Sequence, residues 1–270
     1  MQQKTILLTG GSTGIGLATA ELLSHQGDIV YAVSRRSMDE SVTERGKVIP
    51  IAGDVNDEAM LRREVEKIIS ERGALDAVIC NAGNGLAGSV EDTSIEEARY
   101  QFETNFFGVV KTIQACLPVF RRQGYGKILV ISSVAAAAPI PFQGFYSAVK
   151  SALLVLIQAL SVELKPFNIQ CSVVLPGDTR TDFTKSRRYA AASLALSSAY
   201  AERMKQSVGK MERDELNGMQ AVSIARSIAE QINKKNCALV VVPGLQYKVS
   251  YWLLLRLPAR LRMRIIGSLY

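Results

Sequence analysis

Residues 4–16 read KTILLTGGSTGIG: a short apolar run, a glycine-rich turn, and the start of a helical pattern continued by Ala18, Leu22 and Leu23. Strand, glycine turn and helix in that order specify a parallel α/β unit, and give a Gly-rich motif the context in which it carries meaning. Gly10 permits the tight turn, Gly14 lets the backbone approach a pyrophosphate, and Gly16 allows helix and strand to pack closely. Ser12, Thr13 and Ile15 complete the turn. The helix N-terminus beyond it offers unpaired N–H groups and a positive dipole to phosphate oxygens.

Working outward, apolar runs recur at 28–33, 47–51, 75–80, 127–131, 169–175 and 238–242, with helical patterns between them. This alternation predicts a single doubly wound α/β domain: a seven-stranded parallel sheet with helices on both faces. Ligands in such sheets sit at the C-terminal strand edge. The second strand ends there at Ser34, Arg35 and Arg36. An acid at that point would bind the 2′-hydroxyl of NAD, whereas guanidinium forks suit a 2′-phosphate, so these residues point to NADP(H). The third strand closes on Asp54 and Val55, where Asp54 is placed either to accept from an adenine amino group or to cap the helix from Asp57. The fourth stops at Asn81, Ala82 and Gly83, small enough for a cofactor to lie against the backbone. After the sixth come Pro176 and Gly177, then Thr179 and Thr181, whose hydroxyls fall where a nicotinamide carboxamide would lie.

The stretch 133–150, SVAAAAPIPFQGFYSAVK, carries the chemistry. Tyr146 and Lys150 are four apart, so on a helix they share one face. A nearby cation favours phenolate, which would lower the phenol from its usual pKa of roughly 10 towards the working pH. Tyr146 is the candidate general acid and base, and the Ser133 hydroxyl is placed to hold a substrate oxygen. A helical segment over 94–120 contains Asn105, unfavourable in mid-helix, which predicts a kink or a polar role. After Lys150 the helix is apolar on nearly every side, so it should be covered both by its own sheet and by a second copy.

The chain has 270 residues, 48% hydrophobic and 21% charged, ordinary for a soluble globular protein. No signal-peptide pattern opens it and the longest nearly apolar run, 152–160, is far short of the ~20 residues of a membrane span; a cytoplasmic location is expected. Four scattered cysteines and one histidine, His25, leave no set for a metal site or a disulfide framework. The net charge of +7 resides after Glu230, where Lys234, Lys235, Lys248, Arg256, Arg260, Arg262 and Arg264 meet no acid.

The motifs TGGSTGIG, GDV, NAG, Asn105, Ser133 with Tyr146 and Lys150, and PGDTRT, in that order, resemble the short-chain dehydrogenase/reductase family over roughly 4–244. The resemblance implies an NADP(H)-dependent oxidoreductase interconverting a carbonyl and an alcohol. In it Tyr146 donates or accepts the proton, Lys150 holds the nicotinamide ribose, Ser133 holds the substrate oxygen, and Asn105 supports a water relay to Lys150. Steroid-, retinoid- or fatty-type substrates are expected, with a substrate lobe at about 183–220 and a homodimer through the Asn105 and Tyr146 helices. Thr13 departs from the basic residue that many NADP-preferring members carry there. The family does not require residues 245–270. On a helix from Pro258, Leu261, Ile265 and Leu269 share one face and Arg260 and Arg264 the other. This basic tail either lies on an anionic membrane surface or caps the substrate lobe. The alternative reading of the whole chain is a non-catalytic NADP(H)-binding protein that engages a membrane or partner through this tail; no nucleic-acid motif accompanies the charge.

Overall fold

The structure, a computed structural model, describes residues 3–195 and 197–270. Its centre is a sheet of strands β1 (Thr5–Thr9), β2 (Ile29–Ser34), β3 (Ser41–Val42), β4 (Lys47–Ala52), β5 (Ala77–Cys80), β6 (Gly126–Ile131), β7 (Ile169–Val174) and β8 (Val240–Val241). They lie in the order β8-β7-β6-β5-β1-β2-β4-β3. Seven strands are parallel, as the sequence predicts. The eighth, β3, pairs antiparallel with β4 at the edge. It is two exposed residues long, too short and too polar to show a strand period.

Every residue of β1 and β2 is buried, because helices cover both faces of a parallel sheet and leave no solvated side to alternate towards. On one face α1 (Gly14–His25) packs with α7 (Ala221–Asn233), joining Ala20 and Leu23 to Ile224 and Ile228. On the other lie α2 (Glu58–Arg72), α4 (Gly108–Gln123) and α5 (Gly144–Glu163), whose Leu61, Val65, Phe120, Leu153 and Ile157 are fully buried or nearly so. The α5 helix has the length and mean hydropathy, 1.6, of a membrane span. Its Val149, Leu153 and Ile157 are instead completely buried in the protein core. Cys80, Cys116 and Cys171 are free and buried, and burial pushes the Cys80 and Cys171 thiols up to about 12.

The segment predicted as one helix over 94–120 is broken in a specific way. Helix α3 (Ile95–Phe102) begins with a capping box between Ser94 and Glu97. It passes into a π-helical turn, Glu103–Phe107, before α4 starts. One inserted residue in a helix makes such a turn, and Asn105 sits inside it, almost completely buried. Past β7, a helical turn (Phe183–Ser186) leads to α6 (Ala201–Leu216), and α8 (Leu245–Arg256) and α9 (Ala259–Leu269) end the chain. Within α9 the buried residue is Ile266, outside the predicted Leu261–Ile265–Leu269 stripe. Ile266, Leu269 and Tyr270 face the main cleft, and Tyr270 packs on Met204, Val208 and Met211 of α6.

Candidate active site

The seven parallel strands all end on one edge, and the ends of all but the short β8 surround a cleft of about 620 Å³. Its wall on the β1 side is the glycine turn. Gly10 and Gly14 have φ of +72° and +57°, left-handed conformations that cost a residue with a side chain roughly 1–2 kcal/mol. Gly16 answers to a different constraint: a Cβ there would lie 2.0 Å from the Gly10 carbonyl oxygen. Helix α1 then begins at Thr13 with no side-chain cap and no acid in its first turn. Its N–H groups are therefore left free for an anion from elsewhere.

The turn is braced from β5. The Asn81 amide donates to the Thr9 and Gly10 carbonyl oxygens at 3.2 and 3.0 Å. Thr9 Oγ1 accepts from the backbone N–H groups of Asn81 and Ala82 at 3.1 and 3.2 Å. Asn81 is thus spent on the protein's own loop. Thr9, which sequence reasoning passed over as a strand residue, is the joint between the two strand ends.

At the end of β2, Ser34 Oγ donates to the Arg36 carbonyl oxygen and accepts from the Arg36 N–H, at 3.0 and 3.1 Å. This closes a tight turn that presents Arg35 and Arg36 to solvent at the cleft edge. Arg35 approaches Asp54 only to 3.9 Å, with both side chains exposed, and Arg36 makes no ion pair among the described residues. Asp54 accepts from the Asn56 N–H at 3.0 Å, while the cap of α2 is Asp57, bonded to the Met60 N–H at 2.9 Å. Of the two roles weighed for Asp54, helix capping falls to its neighbour.

Opposite stand Ser133, Tyr146 and Lys150. Ser133 ends the β6 run and caps a short turn, accepting from the Ala135 N–H at 3.1 Å. That turn is tied to α5 by the Ser151 hydroxyl, which donates to the Ala136 carbonyl at 2.7 Å, and by Ser132, which donates to the Lys150 carbonyl at 2.8 Å. The chain enters α5 through Phe142, a non-glycine residue at φ +60°. Tyr146 stacks at a tilt against Phe183, ring centroids 5.8 Å apart. The Lys150 ammonium lies 5.7 Å from the Tyr146 ring centre, yet donates to the Ile131 carbonyl at 2.9 Å.

This geometry corrects one expectation. Burial pushes the Tyr146 phenol up to about 12, with the Ser133 hydroxyl pulling it down and the Glu215 carboxylate adding to the rise. That burial outweighs any pull from Lys150, whose ammonium donates to the Ile131 carbonyl and is itself brought down to about 8 by desolvation. The Asn105 side chain is bonded within the protein. Its amide donates to Asn84 and to the Gln101 carbonyl, and its oxygen accepts from the Asn84 N–H at 3.0 Å. Its side chain shapes the loop after β5 and does not line the cleft.

Gly16 and Asn105 are the two predicted residues outside the cleft wall. Gly10, Ser12, Thr13, Gly14, Ile15, Ser34, Arg35, Arg36, Asp54, Val55, Asn81, Ala82, Gly83, Ser133, Tyr146, Lys150, Pro176, Gly177, Thr179 and Thr181 all line it. The Thr179 hydroxyl turns to the Gly177 carbonyl at 2.8 Å, and Thr181 packs on Gly14. Sequence reasoning missed the lobe network. Arg187, its side chain fully buried, bridges Glu212 at 3.3 Å and Glu215 at 2.5 Å, and lies 5.7 Å from the Phe183 ring that faces Tyr146. It also missed Tyr247, whose ring covers Gly177 and whose hydroxyl donates to Asp178 at 3.1 Å. The cleft's remaining lining mixes apolar residues, Ile140, Met211, Leu254, Ile266 and Leu269, with polar and charged ones such as Gln143, Asp182, Arg188 and Glu215.

The short chain dehydrogenase family model matches residues 4–192. A 3-ketodihydrosphingosine reductase from Bacteroides thetaiotaomicron is 40% identical over 236 residues, covering 87% of this chain and 86% of that protein. Retinol dehydrogenase 8 from Bos taurus is 33% identical over 190 residues, covering 67% and 60% respectively. Among solved structures, a short-chain dehydrogenase from Streptomyces avermitilis superposes with a TM-score of 0.78 at 28% identity, covering 94% of this chain and 92% of that one.

Proposed function

Because the chain belongs to the short chain dehydrogenase family, we propose that it is an NADP(H)-dependent oxidoreductase that reduces the ketone of a lipophilic substrate. The observation that carries the reading is the facing of two walls. Ser133, Tyr146 and Lys150 stand across one cleft from an uncapped helix N-terminus behind a left-handed glycine turn. That turn fits a dinucleotide: the α1 N–H groups would take the pyrophosphate, Arg35 and Arg36 the 2′-phosphate, and Lys150 the nicotinamide ribose. When bound, the cofactor supplies the hydride that arrives on the carbonyl carbon.

The protein's part is to supply the proton. Ser133 holds the carbonyl oxygen by a hydrogen bond, and Tyr146 gives its phenolic proton to that oxygen as it gains negative charge. A phenol held up to about 12 is protonated at neutral pH, the form that reduction requires. The phenolate left behind faces the Lys150 ammonium across 5.7 Å to its ring, a charge that favours it once formed. Oxidation of the alcohol runs the same transfers in reverse. Phe183, Ile140, Met211, Leu254, Ile266 and Leu269 offer apolar surface that suits an alkyl, steroid- or retinoid-type body. A 3-keto lipid of the dihydrosphingosine type is the first substrate to try, given the 40% identical relative.

The test is turnover with NADPH on a panel holding 3-ketodihydrosphingosine, retinal and a ketosteroid, in the wild type and in Tyr146→Phe. The variant should lose about 10²–10⁴-fold in kcat while NADPH binding persists. Unchanged turnover in that variant would refute the mechanism.

A further inference from the structure

The last two helices carry a surface that the reaction does not use. Of the 21 large apolar side chains exposed among the described residues, nine lie between Leu245 and Leu269, a tenth of the chain. Helix α8 is two-faced. Tyr247, Ser250 and Leu254 line the cleft, while Leu245, Val249, Trp252 and Leu253 form an outward stripe exposed by 79, 49, 48 and 58%. Their spacing, i, i+4, i+7 and i+8, puts them on one side of a helix. Arg256 continues the same side one turn on. In α9, Leu261 and Ile265 remain exposed beside Arg260 and Arg264.

The charge around this stripe has one sign. Lys248, Arg256, Arg260, Arg262 and Arg264 stand on these helices without an acidic residue, and none forms an ion pair among the described residues. A monomer seldom leaves so large an apolar patch without a partner. A second copy of the chain is a poor one, since a two-fold interface sets each patch against itself and would bring cations against cations. An anionic lipid surface meets both features: acyl chains accept the apolar stripe, headgroup phosphates accept the guanidiniums, and Trp is at home at that depth.

We propose that α8 and α9 dock the protein peripherally on anionic phospholipid bilayers, with Leu245, Val249, Trp252 and Leu253 inserted at the interface. The cleft then lies on the opposite side of the docked helix, about 10 Å from the acyl region by the diameter of a helix. A lipophilic substrate would reach the cleft's apolar residues without crossing bulk water.

Trp252 is the chain's only tryptophan, so its emission reports on this surface alone. The full chain is floated with vesicles of phosphatidylcholine, and with vesicles of about three parts phosphatidylcholine to one of phosphatidylglycerol at about 0.1 M salt. Expected are at least ~10-fold tighter partitioning onto the anionic vesicles and a blue shift of Trp252 emission. The triple variant Arg256→Glu, Arg260→Glu, Arg264→Glu should lose ~10-fold or more of that partitioning. Leu253→Asp should lose it as well, with an unchanged melting temperature showing that the fold survives. The proposal is overturned by equal failure to bind either vesicle, or by binding that both variants retain. It is overturned too by a Trp252 emission already blue-shifted without lipid that Leu253→Asp reverses together with a halving of the particle's mass, which would place a second copy on the stripe. None of these readings needs turnover, so they stand apart from the success or failure of the proposed reaction.

Discussion

Lys150 enters the proposed reaction with its charge already disfavoured, at about 8 against the usual lysine value, because burial strips it of water. A cation whose pKa is lowered loses its charge as pH rises through that value. Reduction needs the ammonium opposite the forming phenolate, so kcat/KM for ketone reduction should hold below about pH 8 and fall above it. Lys150→Arg, permanently charged, should move that alkaline limb upward even where its absolute rate is lower. A profile flat to about pH 10 in the wild type would remove Lys150 from this role. At the far end of the cleft, Arg35→Ala should weaken NADPH by about 10-fold or more, as expected for losing charge-assisted bonds to phosphate, with NADH binding unmoved in the same titration. Residues of this kind were legible because spacing alone brings Tyr146 and Lys150 together and sets Arg35 at a strand end. The direction of the Tyr146 shift was not legible. It depends on the packing that desolvates the ring and on the Glu215 carboxylate brought near it, and neither is written in a four-residue interval.

Elements show the same division. The buried strands were readable as apolar runs bounded by glycines and acids, and their C-terminal ends located the cleft before any coordinate did. The β3 edge was not readable, since two exposed residues have no face to alternate. Nor was the register of α9, where packing in the cleft wall selects Ile266 and the periodicity offers Leu261, Ile265 and Leu269 as an equal choice. Asn105 signalled an irregularity in its helix, and the π turn is that irregularity, which carries the side chain to Asn84 and Gln101. Two changes test how firmly elements hold the site. Gly16→Ala would drive a Cβ into the Gly10 carbonyl. It should weaken cofactor binding by at least ~10-fold, with a lowered melting temperature, because the turn must shift. Asp57→Ala removes the α2 cap, far from the cleft's apolar residues, and should cost about 1 kcal/mol. In a chain of this size that is a fall in Tm of about 2–4 °C, with Asp57→Asn restoring most of it.

At the scale of the whole molecule, α5 leaves Val155 and Val162 exposed by 64 and 74% on its outer side, and Phe107 of the π turn by 47%. We expect a homodimer through this face, and Val155→Glu with Val162→Glu should halve the mass measured by light scattering. A wild type already monomeric at tens of micromolar would refute it. The two apolar surfaces differ in kind: the α5 face is neutral and suits its own copy, while the α8–α9 face is ringed by cations. The packing of α1 on α7 has a consequence in the order of synthesis. Ala20 and Leu23 are buried against Ile224 and Ile228, which are made long after them. The Lys4 ammonium likewise bonds the Asn233 side chain across 229 positions of sequence. Contacts that remote form late, after the loops between them have closed. A nascent chain stalled before Ala221 therefore presents the bare apolar side of its first helix to whatever surrounds the ribosome.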